Sequence, residues 1–276
     1  MVENTGEKLQ KILANAGFGS RREIEGWLSE GRVKVDGAQA KLGDRAFANQ
    51  SIYLDGKRIH LQQSQQATTQ VLLYNKIEGE ICTRKDPEGR KTVFEKLPPV
   101  KDGRWISVGR LDINSAGLLL FTTDGELANR LMHPSSEMDR EYIVRVLGEV
   151  TDEALENLKT GVQLEDGPAR FTDIVASGGE GANRSFCVCI MAGRNREVRR
   201  LWESQGVRVN RLKRVRFGPV FLPSRIKRGR WEFLEQGDVD ILYESAGLST
   251  KVVTSGDVKL RPMGKGRSNK PHGRRR

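Results

Sequence analysis

The chain has 276 residues, 37% hydrophobic and 30% charged, with a formal net charge of +11. That length can bury a core in one large or two modest domains. No apolar run reaches the ~18 residues of a membrane span, so no membrane partner is expected. The first residues lack a signal-peptide pattern, and a cytoplasmic location is expected.

The three cysteines are Cys82, Cys187 and Cys189. The odd count argues against a disulfide framework. Cys187 and Cys189 lie two apart in an apolar strand pattern, so both are expected to face the core. No Cys/His cluster has zinc spacing, and His60, His133 and His272 are scattered; no metal site is expected.

In chain order, Leu9, Ile12, Leu13 and Ala16 share one helical face. Gly17 and Gly19 break that helix. Ser20-Arg-Arg-Glu23 has the form of a capping box opening a second helix, with Ile24, Trp27 and Leu28 on its apolar face and Gly31 at its end. Strands follow at 32–37 and 51–59, the second folding back at Asp55-Gly56. Residues 61–69 are polar and aperiodic and read as a linker.

Strands are expected at 71–74, 105–108 and 117–122. Asp124 can cap a helix through Leu127 and Leu131. An alternating strand runs from Arg140 to Val146, with Tyr142, Val144 and Val146 on one face. Thr151 caps a helix ending near Gly161, 186–190 is apolar enough for a central strand, 196–202 has a helical pattern, and 207–217 is an alternating basic strand. The sum is an α+β domain on a mixed, mainly antiparallel sheet. From Lys251 to Arg276 there are nine Lys/Arg and one Asp, a net +8 in a Gly/Ser/Pro-rich tail expected to bind polyanions. The expected division is 1–62, a linker at 63–69, a second domain at 70–247 and a tail at 248–276.

Residues 7–60 resemble the RNA-binding domain first known from ribosomal protein S-four. The resemblance rests on the Ser20-Arg21-Arg22 helix start and on Gly31-Arg-Val-Lys-Val-Asp-Gly37. It implies RNA contacts from Arg21, Arg22, Arg32 and Lys34.

The segment Val108-Gly-Arg-Leu-Asp-Ile-Asn-Ser-Ala-Gly-Leu-Leu-Leu-Phe-Thr-Thr-Asp-Gly125 sets a short polar loop between two apolar strands, a place where a carboxylate is held yet reachable. The segment resembles the catalytic signature of the pseudouridine synthases of the RsuA branch. Arg140-Glu-Tyr-Ile-Val-Arg145 and Gly193-Arg-Asn-Arg-Glu-Val-Arg-Arg-Leu-Trp202 resemble two further motifs of that family. The resemblance implies that Asp112 is the nucleophile, that Arg199 pairs with it, and that Tyr142 stacks on the target base. It implies an RNA contact from Arg110. Arg194 and Arg196 lie in a dense basic stretch with Arg200, Arg208, Arg211, Lys213, Arg214 and Arg216; strand alternation puts several on one face, expected to be a phosphate-binding floor near the site. The run from Trp105 to His133 and the basic tail fit the large-subunit members of the branch. The implied partner is therefore ribosomal RNA, that of the large subunit, met by a monomer, and no cofactor is implied. Two alternatives stay open: a non-catalytic RNA-binding protein of ribosome assembly, and a synthase acting on small-subunit rRNA. A methyltransferase would need a glycine-rich cofactor loop after a strand, which is not found.

Overall fold

A computed structural model describes residues 6–47, 49–59, 69–100 and 103–253. The expected linker falls outside these residues except for Thr69, and the expected tail does so beyond Val253.

The first unit opens with β1 (Glu7–Lys8), α1 (Leu9–Asn15) and α2 (Arg21–Ser29). Leu9, Leu13 and Ala14 of α1 pack with Ile24 and Leu28 of α2. Ala16, expected on that face, is the exposed C-cap, because the helix stops one residue earlier. The capping box forms in both directions: Glu23 N donates to Ser20 Oγ at 3.1 Å and Ser20 N to Glu23 Oε2 at 2.7 Å. Strands β2 (Val33–Val35), β3 (Ala38–Gln39), β5 (Ile52–Leu54) and β6 (Lys57–Ile59) make a small sheet in the order β3-β2-β5-β6, while β4 (Arg45–Ala46) pairs with β1. Asp55 and Gly56, at φ of 50° and 76°, make the tight turn between β5 and β6. Two successive left-handed residues match the twist of a hairpin.

The second unit is built on β7 (Val71–Lys76), β8 (Ile106–Val108), β9 (Ala116–Thr122), β10 (Arg140–Leu147), the small hairpin β11 (Val162–Leu164) and β12 (Gly167–Ala169), β13 (Asp173–Glu180), β14 (Asn183–Ile190), β15 (Arg208–Phe217), β16 (Val220–Phe221) and β17 (Trp231–Phe233). Among the described residues nine strands form one sheet, ordered β13-β14-β10-β15-β9-β7-β17, with β8 on β9 and β16 on β15. Every pairing is antiparallel except β15 with β9. The apolar strand at 186–190 lies second from the edge rather than centrally. It reads as fully apolar because Phe186 and Val188 face the core while Cys187 and Cys189 face the other way. The expectation that both cysteines face the core is corrected in part: on the face opposite Phe186 and Val188, Cys187 is half-buried, while Cys189 is buried beside Arg216.

Helices cover the sheet on opposite faces in its two halves, and β7 and β9 are buried on both faces. Under β10, β14 and β15, α4 (Asp152–Thr160) and α5 (Glu197–Glu203) bury Leu158, Val198, Leu201 and Trp202 against Val144, Val146 and Phe186. On the other face, α3 (Gly125–Met132) and α6 (Gln236–Ser245) cover β7 and β9 with Leu127, Leu131, Val239 and Leu242. The helix caps are those expected. Thr151 Oγ1 accepts from Ala154 N, and Asp124 Oδ1 accepts from Glu126 N at 2.8 Å and Leu127 N at 3.3 Å. The other oxygen of Asp124 accepts from the Tyr243 hydroxyl at 2.7 Å and Lys251 Nζ at 2.6 Å. The root of the expected tail is thus docked on the domain, and Val253 pairs with Thr69.

The halves meet at the short parallel seam of β15 with β9, where Lys213 lies beside Ala116 and Arg214 beside Gly117. Gly117 has φ of +102°, and a Cβ there would lie 2.1 Å from the Arg214 carbonyl oxygen. Only glycine permits this approach of two backbones. Gly117→Ala is expected to cost on the order of 4 kcal/mol, as strain and a backbone clash together. Urea unfolding, or loss of soluble protein, checks it.

Candidate active site

The seam positions the loop from Gly109 to Ser115, which runs between β8 and β9. Lys76 ends β7 with its side chain fully buried. Its ammonium donates to the carbonyls of Asp112 at 2.9 Å, Ser115 at 2.7 Å and Ile77 at 3.1 Å. An ammonium has three protons, and all three have acceptors here. The Ile113 carbonyl accepts from Gly79 N at 2.8 Å. The Asn114 carbonyl accepts from Arg199 Nη2 at 2.9 Å. Cys82 Sγ brackets Leu111, donating to its carbonyl at 3.3 Å and accepting from its amide at 3.4 Å. Burial pushes the Cys82 thiol up, so it keeps the proton it donates. Five consecutive carbonyls, Leu111 to Ser115, are therefore each held by a donor from outside the loop.

The loop's backbone is fixed while the Asp112 side chain is not consumed. Asp112 is half-buried and makes no ion pair among the described residues. The expected Arg199–Asp112 pair is thus not formed. Arg199 is 6% exposed and spends its fork on backbone: Nη1 donates to Val209 O at 2.9 Å and Nη2 to Asn114 O, while its buried Nε has no partner. Burial, then the nearby Arg196, draws Arg199 below the ordinary guanidinium range, against opposing contributions from Asp112, Glu203 and Glu78. Burial likewise lowers Lys76, opposed by Cys82, Glu80, Asp112 and Glu78.

Tyr142 is 7% exposed and belongs to the same apolar cluster as Leu111, Leu201 and Leu212. On β10 it pairs with Val188 on one side and Arg214 on the other. A cleft of about 390 Å³ adjoins the loop, lined by Glu78, Asn114, Arg196, Arg199, Arg208 and Asn210 among others. Its wall reaches the loop at Asn114, two residues from Asp112; Asp112 and Tyr142 are not in the lining.

The basic residues divide into two groups. Arg194 closes on its own domain: it donates to Glu197, Asp166 and the Pro168 carbonyl, tying α5 to the β11–β12 hairpin. Arg200 forks onto Asp166 at 2.8 and 2.7 Å. Arg32 forks onto Asp55 at 2.9 and 2.7 Å and lies over the Trp27 ring. In this structure the donors of Arg194 and Arg32, both expected to meet RNA, hold the fold. Arg110, Arg21, Arg22 and Lys34 are exposed, and their side chains make no hydrogen bond or ion pair among the described residues. Arg196, in a left-handed conformation at the start of α5, is exposed beside Glu203 at 3.5 Å.

The single phosphate-binding floor is also corrected. Strand alternation sends Arg211 and Lys213, paired with Arg145 and Ile143, to the face opposite Tyr142. Arg214 is on Tyr142's face but 2% exposed, donating to Leu118 O at 2.8 Å. Arg216 pairs with Asp139 and Glu141. Arg196 and Arg208 remain at the cleft. Sequence reasoning passed over Lys76, Glu78 and Cys82. Nothing in the run Val71–Lys76 distinguishes a buried lysine from the exposed end of a strand.

Among the described residues no group of three or more His, Cys, Asp or Glu is placed to hold a metal, and no helix is long and apolar enough to cross a membrane.

This architecture is that of a pseudouridine synthase preceded by a small RNA-binding unit, and comparison with known proteins agrees. The RNA pseudouridylate synthase family model matches residues 70–204 and the S4 domain model residues 7–46. The ribosomal large subunit pseudouridine synthase B of Pseudomonas aeruginosa is 59% identical over 93% of this chain and 67% of its own length. That of Escherichia coli O157:H7 is 56% identical over 91% and 89%. A crystal structure of a pseudouridylate synthase shares the fold at a TM-score of 0.60 and 23% identity, over 86% of this chain and all of that one. The chain belongs to the pseudouridine synthase family.

Lys76→Met leaves three carbonyls without their charged donor. It is expected to lower stability by about 3 kcal/mol and turnover at least ~100-fold, since the loop shifts under Asp112. Between the depressed folded pKa of Lys76 and its ordinary ~10.4, the unfolded chain binds the extra proton. Wild-type stability therefore rises with pH through that window and is lost as pH falls through it. The variant is expected to lack this rise; denaturant unfolding against pH and single-turnover assays check both.

Proposed function

We propose that the protein isomerises a uridine to pseudouridine in large-subunit ribosomal RNA, with Asp112 as nucleophile. The observation that carries this reading is a loop pinned at five successive carbonyls that presents one uncommitted carboxylate. The relatives named for large-subunit rRNA, similar over most of the chain, support the choice of substrate.

In the reaction the bond from the ribose to uracil nitrogen breaks and a bond to ring carbon forms. That carbon loses a proton and the nitrogen gains one. Atoms balance without a co-reactant, so the reaction draws on the protein's own groups. Asp112 attacks covalently, and attachment lets the base turn without escaping. Tyr142 offers its ring to the uracil turned out of the RNA stack, and stacking of this kind is worth ~1–3 kcal/mol. Arg199 acts through the loop: it fixes the Asn114 carbonyl and brings a buried positive charge near Asp112. Arg110, Arg21, Arg22 and Lys34, unpaired among the described residues, and Arg196, exposed beside Glu203, are the cations we assign to phosphates. The protein works as a monomer, with residues 1–62 gripping RNA while 70–247 carry out the chemistry.

Asp112→Ala is expected to abolish pseudouridine at the target while RNA binding stays within about twofold, because the carboxylate lies apart from the phosphate contacts. Mapping pseudouridines in rRNA from cells carrying wild type, the variant or no gene checks this; modification by the variant at the wild-type level would refute it. Arg199→Ala is expected to remove nearly all turnover with a modest loss of RNA affinity. Equal losses in both would make Arg199 a phosphate contact instead.

A further inference from the structure

The start of α2 lies against two loops of the second unit. A Cβ on Gly17 would sit 2.9 Å from the Gly103 carbonyl oxygen, and one on Gly125 would sit 3.5 Å from Asn15 Oδ1. Lys85 approaches Glu23 at 3.5 Å. Arginines collect at this seam. Arg104, next to Gly103, is half-buried, and its guanidinium makes no hydrogen bond or ion pair among the described residues. Its Nε is shut away from solvent without an acceptor. Arg84 lies over the Phe94 ring, its guanidinium carbon 4.5 Å from the ring centre, and gives one nitrogen to the Trp105 carbonyl, with no carboxylate within 4.0 Å among the described residues. Arg21 is exposed and its side chain is unpaired among the described residues.

Arg84 reaches the carbonyl of Trp105, the residue after Arg104, and Arg21 opens the helix whose Glu23 meets Lys85 of the second unit. Burial lowers Arg104, and Arg21 lowers it further; burial lowers Arg84, and Arg104 lowers it further. Glu23 opposes both shifts but is already engaged, one oxygen in the capping box and the other toward Lys85. A buried donor without an acceptor is unfavourable. The arrangement is unfavourable alone and favourable around an anion with several acceptor oxygens. An arginine fork matches a phosphate oxygen pair.

We propose that Arg104 and Arg84 of the second unit join Arg21 of the first in a composite phosphate site across the seam, filled by a phosphodiester of the substrate RNA. This rests on the RNA-modifying function proposed above. RNA seated there touches both units, so substrate binding clamps the N-terminal unit in place relative to the Asp112 loop.

The test uses the full chain, a large-subunit rRNA transcript and a salt titration. Arg104→Gln is expected to weaken binding about tenfold and to make the slope of log K against log salt shallower by about one, the loss of one phosphate contact. Arg21→Gln should cost less in the Arg104→Gln background than in wild type, because the two share one anion. The unfolding midpoint without RNA should hold or rise, since an orphaned buried donor is removed; a fall would mean a structural role and overturn the proposal. Unchanged affinity and slope would overturn it as well. If inorganic phosphate stabilises wild type but not Arg104→Gln, and RNA affinity is equal, the site takes free anions and the RNA assignment fails. Pseudouridine formation by wild type on the same transcript is scored in parallel. Its absence sinks the proposed function, whereas a working enzyme indifferent to Arg104 sinks only the seam site.

Discussion

A positive charge with no access to water, the ammonium of Lys76, holds the architecture of the site together. Isolated in a protein interior such a charge would be costly. It is stable here because three carbonyls converge on it, two of them from the loop that carries Asp112. The dependence runs both ways: the loop needs the ammonium to collect its carbonyls, and the ammonium needs the loop for its solvation. Gly79, Cys82 and Arg199 hold the remaining carbonyls. A carboxylate placed in this way needs no ion pair to be oriented, since the backbone around it is already set.

Arginine has three employments in this chain. Arg194, Arg200 and Arg32 close on carboxylates and carbonyls and hold elements together. Arg199, Arg140 and Arg214 are drawn inward onto backbone carbonyls beside the sheet seam. Arg21, Arg22, Arg110 and Arg104 have no partner among the described residues. Of these three groups, the last has donors free for phosphate. Net charge therefore overstates the cationic surface open to RNA, because many of the guanidinium groups already donate within the protein.

Much of the fold was legible in local chemistry. The capping box at Ser20 and Glu23, the caps at Asp124 and Thr151, the turn at Asp55-Gly56 and the alternation of Tyr142, Val144 and Val146 all form as read. These signals act over a few residues, and sequence records them directly. The partner of Arg199 was not legible. Its carbonyl acceptors come from residues 10 and 85 positions away, and a backbone oxygen carries no sequence signature. Lys76 was hidden for the same reason. The division of Arg211 and Lys213 from Arg214 follows from strand period alone, but which face carries the site depends on how β15 registers with β10. Cys187 and Cys189 show the limit of an apolar run: the spacing gave them a common face, and the packing of α4 and α5 decided that it was the outer one.

Amide hydrogen exchange across residues 111–117 in Lys76→Met tests the central claim most directly. If the ammonium holds the loop, the Ser115 amide, bonded to the Asp112 carbonyl at 3.0 Å, loses protection through local opening while β10 and β14 keep theirs. Wild-type protection of Ser115 and Leu111 in the variant would show that the loop holds its shape without Lys76, and would contradict the account.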